Sequence, residues 1–147
     1  FVLEVLDNWA KKAYYNVPLN ELQLVADNAL KNGFTIAWDA DVSENTFDAR
    51  KGVAYIENFQ NEPAISQDSR QLGFDTYETT DDHLMHITGL TKDEKGNIYY
   101  MAKNSWGPSI GQKGFIYASV PYFRSKTICI VVHKDALPSD LKQKLGI

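Results

Sequence analysis

Cysteine is almost missing from this chain: Cys129 is the only one in 147 residues. That count excludes an internal disulfide and a cysteine-rich metal site. Long apolar runs are missing too. No stretch approaches the ~20 apolar residues that a helix needs to cross a bilayer, so no membrane partner is expected. The opening residues lack the basic, apolar and small-residue succession of a secretory leader. Basic charge is in deficit, with fifteen Lys and Arg against nineteen Asp and Glu for a net charge of -4. No Lys/Arg block is dense enough to track a phosphate backbone, so no nucleic acid is expected as a partner. Repeats and low-complexity tracts are absent as well.

What is present suits one globular domain over residues 1–147. The composition is 44% hydrophobic and 12% aromatic, enough to fill a single core. The first residue is Phe1, and the chain opens inside an amphipathic stretch, Phe1-Val2-Leu3-Glu4-Val5-Leu6-Asp7-Asn8-Trp9, which implies sequence upstream. Pro18 followed by Leu22, Val25, Ala26, Ala29 and Leu30 gives the stripe of a helix packed on one face, with Pro18 in its first turn and Gly33 as its stop. Phe34 to Trp38 reads as a strand ending at the polar Asp39-Ala40-Asp41. Residues 43 to 82 read mostly as loop. Two strand-like runs, Leu84 to Leu90 and Ile98 to Lys103, flank the charged, glycine-containing turn Thr91 to Asn97, which makes a hairpin. Gly114 to Ala118 and Thr127 to Val132 add strands, and Ser139 to Leu145 forms a short terminal helix. The class is α+β with a largely antiparallel sheet.

If the hairpin turn is centred between Asp93 and Glu94, residues whose numbers sum to 187 face each other, and His83 and Asn104 are such a pair. Facing Cβ atoms in an antiparallel pair lie only ~4.5–5.5 Å apart, so an Asn amide oxygen can accept from the imidazole N–H. An imidazole acting as general base needs a third group to fix its tautomer and aim its other nitrogen at the nucleophile. Asn does this without adding charge, and a thiolate–imidazolium pair then supplies a nucleophile already ionised near neutral pH.

The surrounding residues carry a stronger signal. Asp82-His83 opens a strand ending at Gly89; Lys103-Asn104-Ser105-Trp106-Gly107 follows, and then Gly114-Phe115-Ile116. This ordered set resembles the His strand, the N-S-W-G motif and the glycine-aromatic strand of the papain-like cysteine peptidases. Tyr15-Asn16-Val17-Pro18, Asp41-Val42, His83-Leu84-Met85 and Thr88 before Gly89 are similar to the aminopeptidase C and bleomycin hydrolase branch. The resemblance spans residues 14 to 132. It implies a papain-like fold, of which this chain is the C-terminal antiparallel, barrel-like lobe with a packed helix. It implies His83 as base, Asn104 as its orienter and Trp106 as the indole that shields their bond, with Asp82 and Ser105 in support. The resemblance also implies peptide substrates, homo-oligomers (hexamers in related enzymes) and a cytoplasmic setting. No cofactor and no metal are implied.

The family's cysteine precedes its histidine by ~130–150 residues, inside C-G-[SA]-C-[WY]. Only 82 residues precede His83 here, and none is cysteine. The nucleophile-bearing N-terminal lobe is therefore a missing partner, together with the glutamine that helps form the family's oxyanion hole. Cys129 lies in a β-branched run and reads as a buried structural thiol. His86 sits an odd number of positions from His83 and so on the opposite strand face, which rules out joint chelation. His133 reads as solvated surface, Asp39 and Asp41 as a solvated loop or cleft rim, and Lys92 to Lys95 as a hairpin tip. Two functions stand at this point: half of a cysteine aminopeptidase that hydrolyses peptide bonds through Cys, His and Asn, inactive alone, or a pseudopeptidase module that binds peptides or proteins without catalysis. A weaker third is an inhibitor or scaffold that imitates the fold.

Overall fold

The computed structural model describes residue 11, residues 13–58 and residues 60–147. The amphipathic opening, Phe1 to Trp9, lies outside the described residues. Helix α1, Leu19–Lys31, buries Val25, Ala26 and Ala29 of the expected stripe and Leu19 besides, while Leu22 and Leu30 are half-buried against the core. Pro18 caps the helix from outside, its carbonyl accepting from Leu22 N at 3.0 Å. Gly33, at φ +80°, turns the chain out, since few side chains tolerate that conformation. Strand β1, Ile36–Ala40, comes directly after it.

Residues 43 to 82 are mostly loop, as expected, but not wholly so. They hold β2 (Phe47–Asp48), β3 (Val53–Ala54) and α2 (Gln67–Asp75). The two strands are too short to show a two-residue period. Helix α2 buries none of its residues, so it has no apolar stripe to read. Its start is set by a capping box, Ser66 accepting from Ser69 N while Ser69 Oγ accepts from Ser66 N. Its position is set by Arg70, whose guanidinium donates to the carbonyls of Arg124 at 3.0 Å and Thr127 at 2.5 Å.

Strands β4 (His83–Lys92) and β5 (Ile98–Lys103) form the expected hairpin, and β6 (Phe115–Ser119) returns beside β5. A further helix, α3 (Val120–Lys126), comes between β6 and β7 (Thr127–Val131), where the sequence suggests only a connection. Ser119 accepts from Tyr122 N at 3.1 Å and Pro121 lies in the first turn, which suffices to start a helix of seven residues. Helix α4, Ser139–Leu145, closes the described chain after a 3-10 turn at Lys134–Ala136.

The sheet runs in the order β2-β3-β6-β5-β4-β1-β7. Every described pairing is antiparallel except β3 with β6. The core is aromatic: Trp38, Tyr100, Tyr122 and Phe123 are fully buried, with the Tyr100 and Phe123 rings 4.4 Å apart. Each polar tip in it has a partner. Tyr100 Oη donates to Asp27 at 2.7 Å and Tyr122 Oη to the Asp41 carbonyl at 2.7 Å; burial drives both phenols far above their ordinary range. Trp38 Nε1 donates to Thr127 Oγ1 at 2.8 Å, and that hydroxyl donates to the Phe123 carbonyl at 2.5 Å.

Thr127 thus relays between two groups that water does not reach. Thr127→Val keeps its shape and orphans the Trp38 N–H, while the Phe123 carbonyl still accepts the backbone N–H of residue 127, so urea denaturation should show a loss of about 1–3 kcal/mol.

Candidate active site

The β4–β5 turn determines which residues of the two strands meet. Asp93 accepts the N–H groups of Lys95 at 2.9 Å and Asn97 at 2.8 Å, and Gly96 takes φ +88°. This centres the turn on Lys95, not between Asp93 and Glu94. Facing residues therefore sum to 190 from Lys92↔Ile98 to Gly89↔Met101, and to 189 at Ile87↔Ala102 and His86↔Lys103, the ladder slipping by one between Ile87 and Gly89. His83 and Asn104 are not directly opposite, as the sum of 187 had it. Continued past the end of β5, the register sets position 83 against position 106.

The two side chains meet all the same. His83 Nε2 lies 2.8 Å from Asn104 Oδ1. Asn104 has left the β4 ladder, its backbone N–H going to the Gly114 carbonyl at 2.9 Å, and its side chain lies diagonally across to the start of β4. Its Oδ1 also accepts from Ser105 N at 2.7 Å. An oxygen has only acceptance to offer, so the imidazole must donate: the neutral ring carries its proton on Nε2, and Nδ1 keeps a lone pair. Trp106 stacks on the imidazole with ring centroids 4.9 Å apart, and the Phe47 ring stands edge-on to the indole at 6.1 Å. Trp106 is 44% exposed and Asn104 only 6%. The indole takes the solvent, and the hydrogen bond lies inside.

The Asp82 carboxylate binds the loop after β1, accepting from Val42 N at 3.2 Å, Ser43 N at 3.1 Å and Thr80 Oγ1 at 3.0 Å. Burial works to raise it, but the Asp41 carboxyl beside it, Thr80 and the two backbone N–H groups outweigh that and hold it below the usual carboxylate range. Ser105 supports the couple through its backbone N–H.

Several residues sit otherwise than their sequence suggests. Cys129 is half-buried, not buried, because β7 is the last strand of the sheet and has a neighbour on one side only among the described strands. It borders a groove of about 800 Å³ that Tyr14, Leu22 and Ile130 also line. Burial, then the negative charge of Asp39, push its thiol up to about 11; Sγ donates to Asp39 Oδ2 at 3.7 Å. Strand β1 stands between Cys129 and β4, a separation of roughly 10 Å at ordinary strand spacing, so this thiol does not meet His83. Asp39 is part of β1, and Asp41 is fully buried where a solvated loop or a cleft rim was expected. His86 is exposed with Leu84, on the face of β4 opposite the buried Met85 and Ile87. His133 is exposed, yet its ring stacks on Phe34 at 5.4 Å and Nδ1 accepts from Asp135 N at 3.2 Å. Lys126, buried beside Asp41, escaped the sequence reading, since Arg124-Ser125-Lys126 looks like surface charge.

Three comparisons bear on this geometry. The model of the Peptidase C1-like family matches residues 1–146. Aminopeptidase C of Streptococcus thermophilus is 30% identical over 131 residues, covering 86% of this chain and 29% of that protein. Bleomycin hydrolase of Gallus gallus is 26% identical over 154 residues, 96% of this chain and 33% of the relative. The crystal structure of PepW from Lactobacillus rhamnosis superposes with a TM-score of 0.70 at 24% identity, over 89% of this chain and 30% of that one, which shows a shared fold. The chain spans about a third of the length of the curated relatives it matches.

With a thiol pushed up to about 11, only about one Cys129 in ten thousand is thiolate at pH 7. Alkylation of the folded chain should be slow at neutral pH and should accelerate up to pH ~11, as a rate profile against pH will show. The raised value also means that folding favours the neutral thiol. Its contribution to stability is full below the ordinary thiol value of 9.0 and fades as pH climbs from there through about 11.

Proposed function

The chain belongs to the Peptidase C1-like family, and on that footing we propose that it is the C-terminal, sheet-rich lobe of a cysteine aminopeptidase, supplying base and orienter to a cysteine carried by a second lobe. The observation that carries this reading is the 2.8 Å bond between His83 Nε2 and Asn104 Oδ1 beneath the Trp106 ring. It leaves Nδ1 as the nitrogen able to take a proton, and a catalytic imidazole must present one basic nitrogen while the other is held.

In this mechanism a thiol from the partner lobe gives its proton to His83 Nδ1. The imidazolium then has N–H on both nitrogens, and the Nε2–H bond to Asn104 persists unchanged. The thiolate attacks the peptide carbonyl to form a tetrahedral oxyanion. As that intermediate collapses, Nδ1–H protonates the departing amine, leaving an acyl-enzyme thioester. Water, deprotonated by Nδ1, releases the acid and restores the thiol. Asn104, being neutral, orients the ring without adding negative charge that would compete with the thiolate for the imidazolium. The Trp106 indole keeps water from the orienting bond, which strengthens it in a medium less polar than solvent. Peptides with a free N-terminus are the substrates in this reading, by similarity to the aminopeptidases named above.

The isolated 147 residues should show no thiol-dependent hydrolysis of aminoacyl-amides. Mixing with a separately produced nucleophile-bearing lobe should restore it. In the restored enzyme His83→Ala should lower kcat at least ~10²–10⁴-fold, the ordinary worth of a general acid–base, and Asn104→Ala should lower it less. Turnover by the isolated chain that Cys129→Ser abolishes would overturn the reading. Tight peptide binding by reassembled lobes, with no turnover, would favour the pseudopeptidase.

A further inference from the structure

Beneath the start of β4 lies a buried ion pair that the mechanism does not use. Lys126, the last residue of α3, is 5% exposed, and Asp41, the first residue after β1, is 0% exposed. Lys126 Nζ is 4.0 Å from Asp41 Oδ2, is paired with Glu44, and donates to the Glu78 carbonyl at 2.6 Å and to Thr79 Oγ1 at 3.2 Å. Taking such charges out of water costs several kcal/mol per ion, and apolar residues of the same volume are often as stable or more so. Stability alone is a weak reason for a pair like this one, so what it holds in place matters.

It joins three segments at the point where His83 enters the sheet. Asp41 is fixed through every polar atom. Its N–H goes to the Lys126 carbonyl at 3.0 Å, its own carbonyl receives Tyr122 Oη, Oδ1 accepts from Ser43 N and Oγ at 2.8 Å each, and Oδ2 accepts from Thr80 N at 2.9 Å. Ala40, immediately before it, pairs with His83. Asp82, immediately before His83, is clamped to Val42, Ser43 and Thr80. On the other side, the Glu44 carbonyl accepts from Phe47 N at 3.0 Å, and the Phe47 ring stands against the indole that stacks on His83. One network therefore holds both the backbone that aims the imidazole and the ring that covers it.

We propose that Lys126 and Asp41 are positioning residues for the His83–Asn104 couple: their buried pair holds the start of β4 and the 41–47 loop so that His83 Nε2–H stays on Asn104 and Nδ1 faces the cleft. This rests on the reading of His83 as the base, and it concerns residues that touch neither the ring nor its partner. Removing either charge loosens the loop at both attachment points, and the imidazole then samples both tautomers.

The test is ¹⁵N NMR of the His83 ring in the full 147-residue chain at about pH 8.5, where an ordinary imidazole is neutral. The unaltered chain should show well-separated ring nitrogens, Nε2 protonated and Nδ1 bare. Asp41→Asn and Lys126→Met should each lose most of that separation while keeping the far-UV circular dichroism of the parent, and Asn104→Ala sets the scale of full loss. Should both buried variants fail to fold, Asp82→Ala carries the test, because this residue is exposed and its removal cuts two ties to the same loop, those to Val42 N and Ser43 N. Folded variants with unchanged ring shifts overturn the proposal, even in an enzyme that turns over. Converging shifts support it whether or not the reassembled lobes hydrolyse peptides, so its fate is read separately from that of the peptidase assignment.

Discussion

The candidate site depends on the register between β4 and β5. A bond of 2.8 Å links the first residue of one strand to the residue just beyond the end of the other. Side chains alternate faces with a period of two, so a slip of a single residue turns His83 away from Asn104 and sends Met85 and Ile87 out of the core. Two local devices set the register. The Asp93 carboxylate gathers the turn, and the irregularity at Thr88 shifts the ladder by one, so that Leu90 and Tyr100 pair near the tip while Ile87 and Ala102 pair in the core. A bulge of this kind re-aims the side chains beyond it, and His83 lies beyond this one, on the side away from the turn. The burial of Met85, Ile87, Tyr100 and Ala102 makes any other register costly.

The elements that were legible in the sequence are those whose own residues carry the pattern. Helix α1 shows its stripe, the β4–β5 hairpin shows its glycine-containing turn, and His83 and Asn104 stand in an ordered set of neighbours that spacing and resemblance both pick out. The elements that were not legible depend on partners distant in sequence. Helix α2 is held by Arg70 reaching to the end of α3 and buries nothing of its own, and α3 is a capped helix of seven residues between two strands. The register was misjudged because the position of a turn's centre depends on which side chain accepts its N–H groups. Asp41 looked like part of a solvated loop or a cleft rim because a residue's letter does not tell where a neighbouring helix will pass. Cys129 looked like core because β-branched neighbours usually mean a covered strand, and only the strand order reveals that β7 is the outermost of the described strands.

The order β2-β3-β6-β5-β4-β1-β7 also bears on how the chain assembles. The hairpin that carries His83 and Asn104 lies near the middle of the sheet and is closed by a short turn, whereas β1 must wait for β4 across all of residues 41 to 82, and β3 for β6 across residues 55 to 114. Bringing distant segments together costs entropy that grows with the intervening length, so the local hairpin is the natural template and the outer strands add to it from both sides. For a chain made from its N-terminus onward, α1 and β1 emerge long before β4 and β7, the strands that flank β1. Until β4 leaves the ribosome, the strand that carries Ile36 and Trp38 lacks the neighbours it pairs with here and keeps its edges open, the state in which a chaperone is most useful to it.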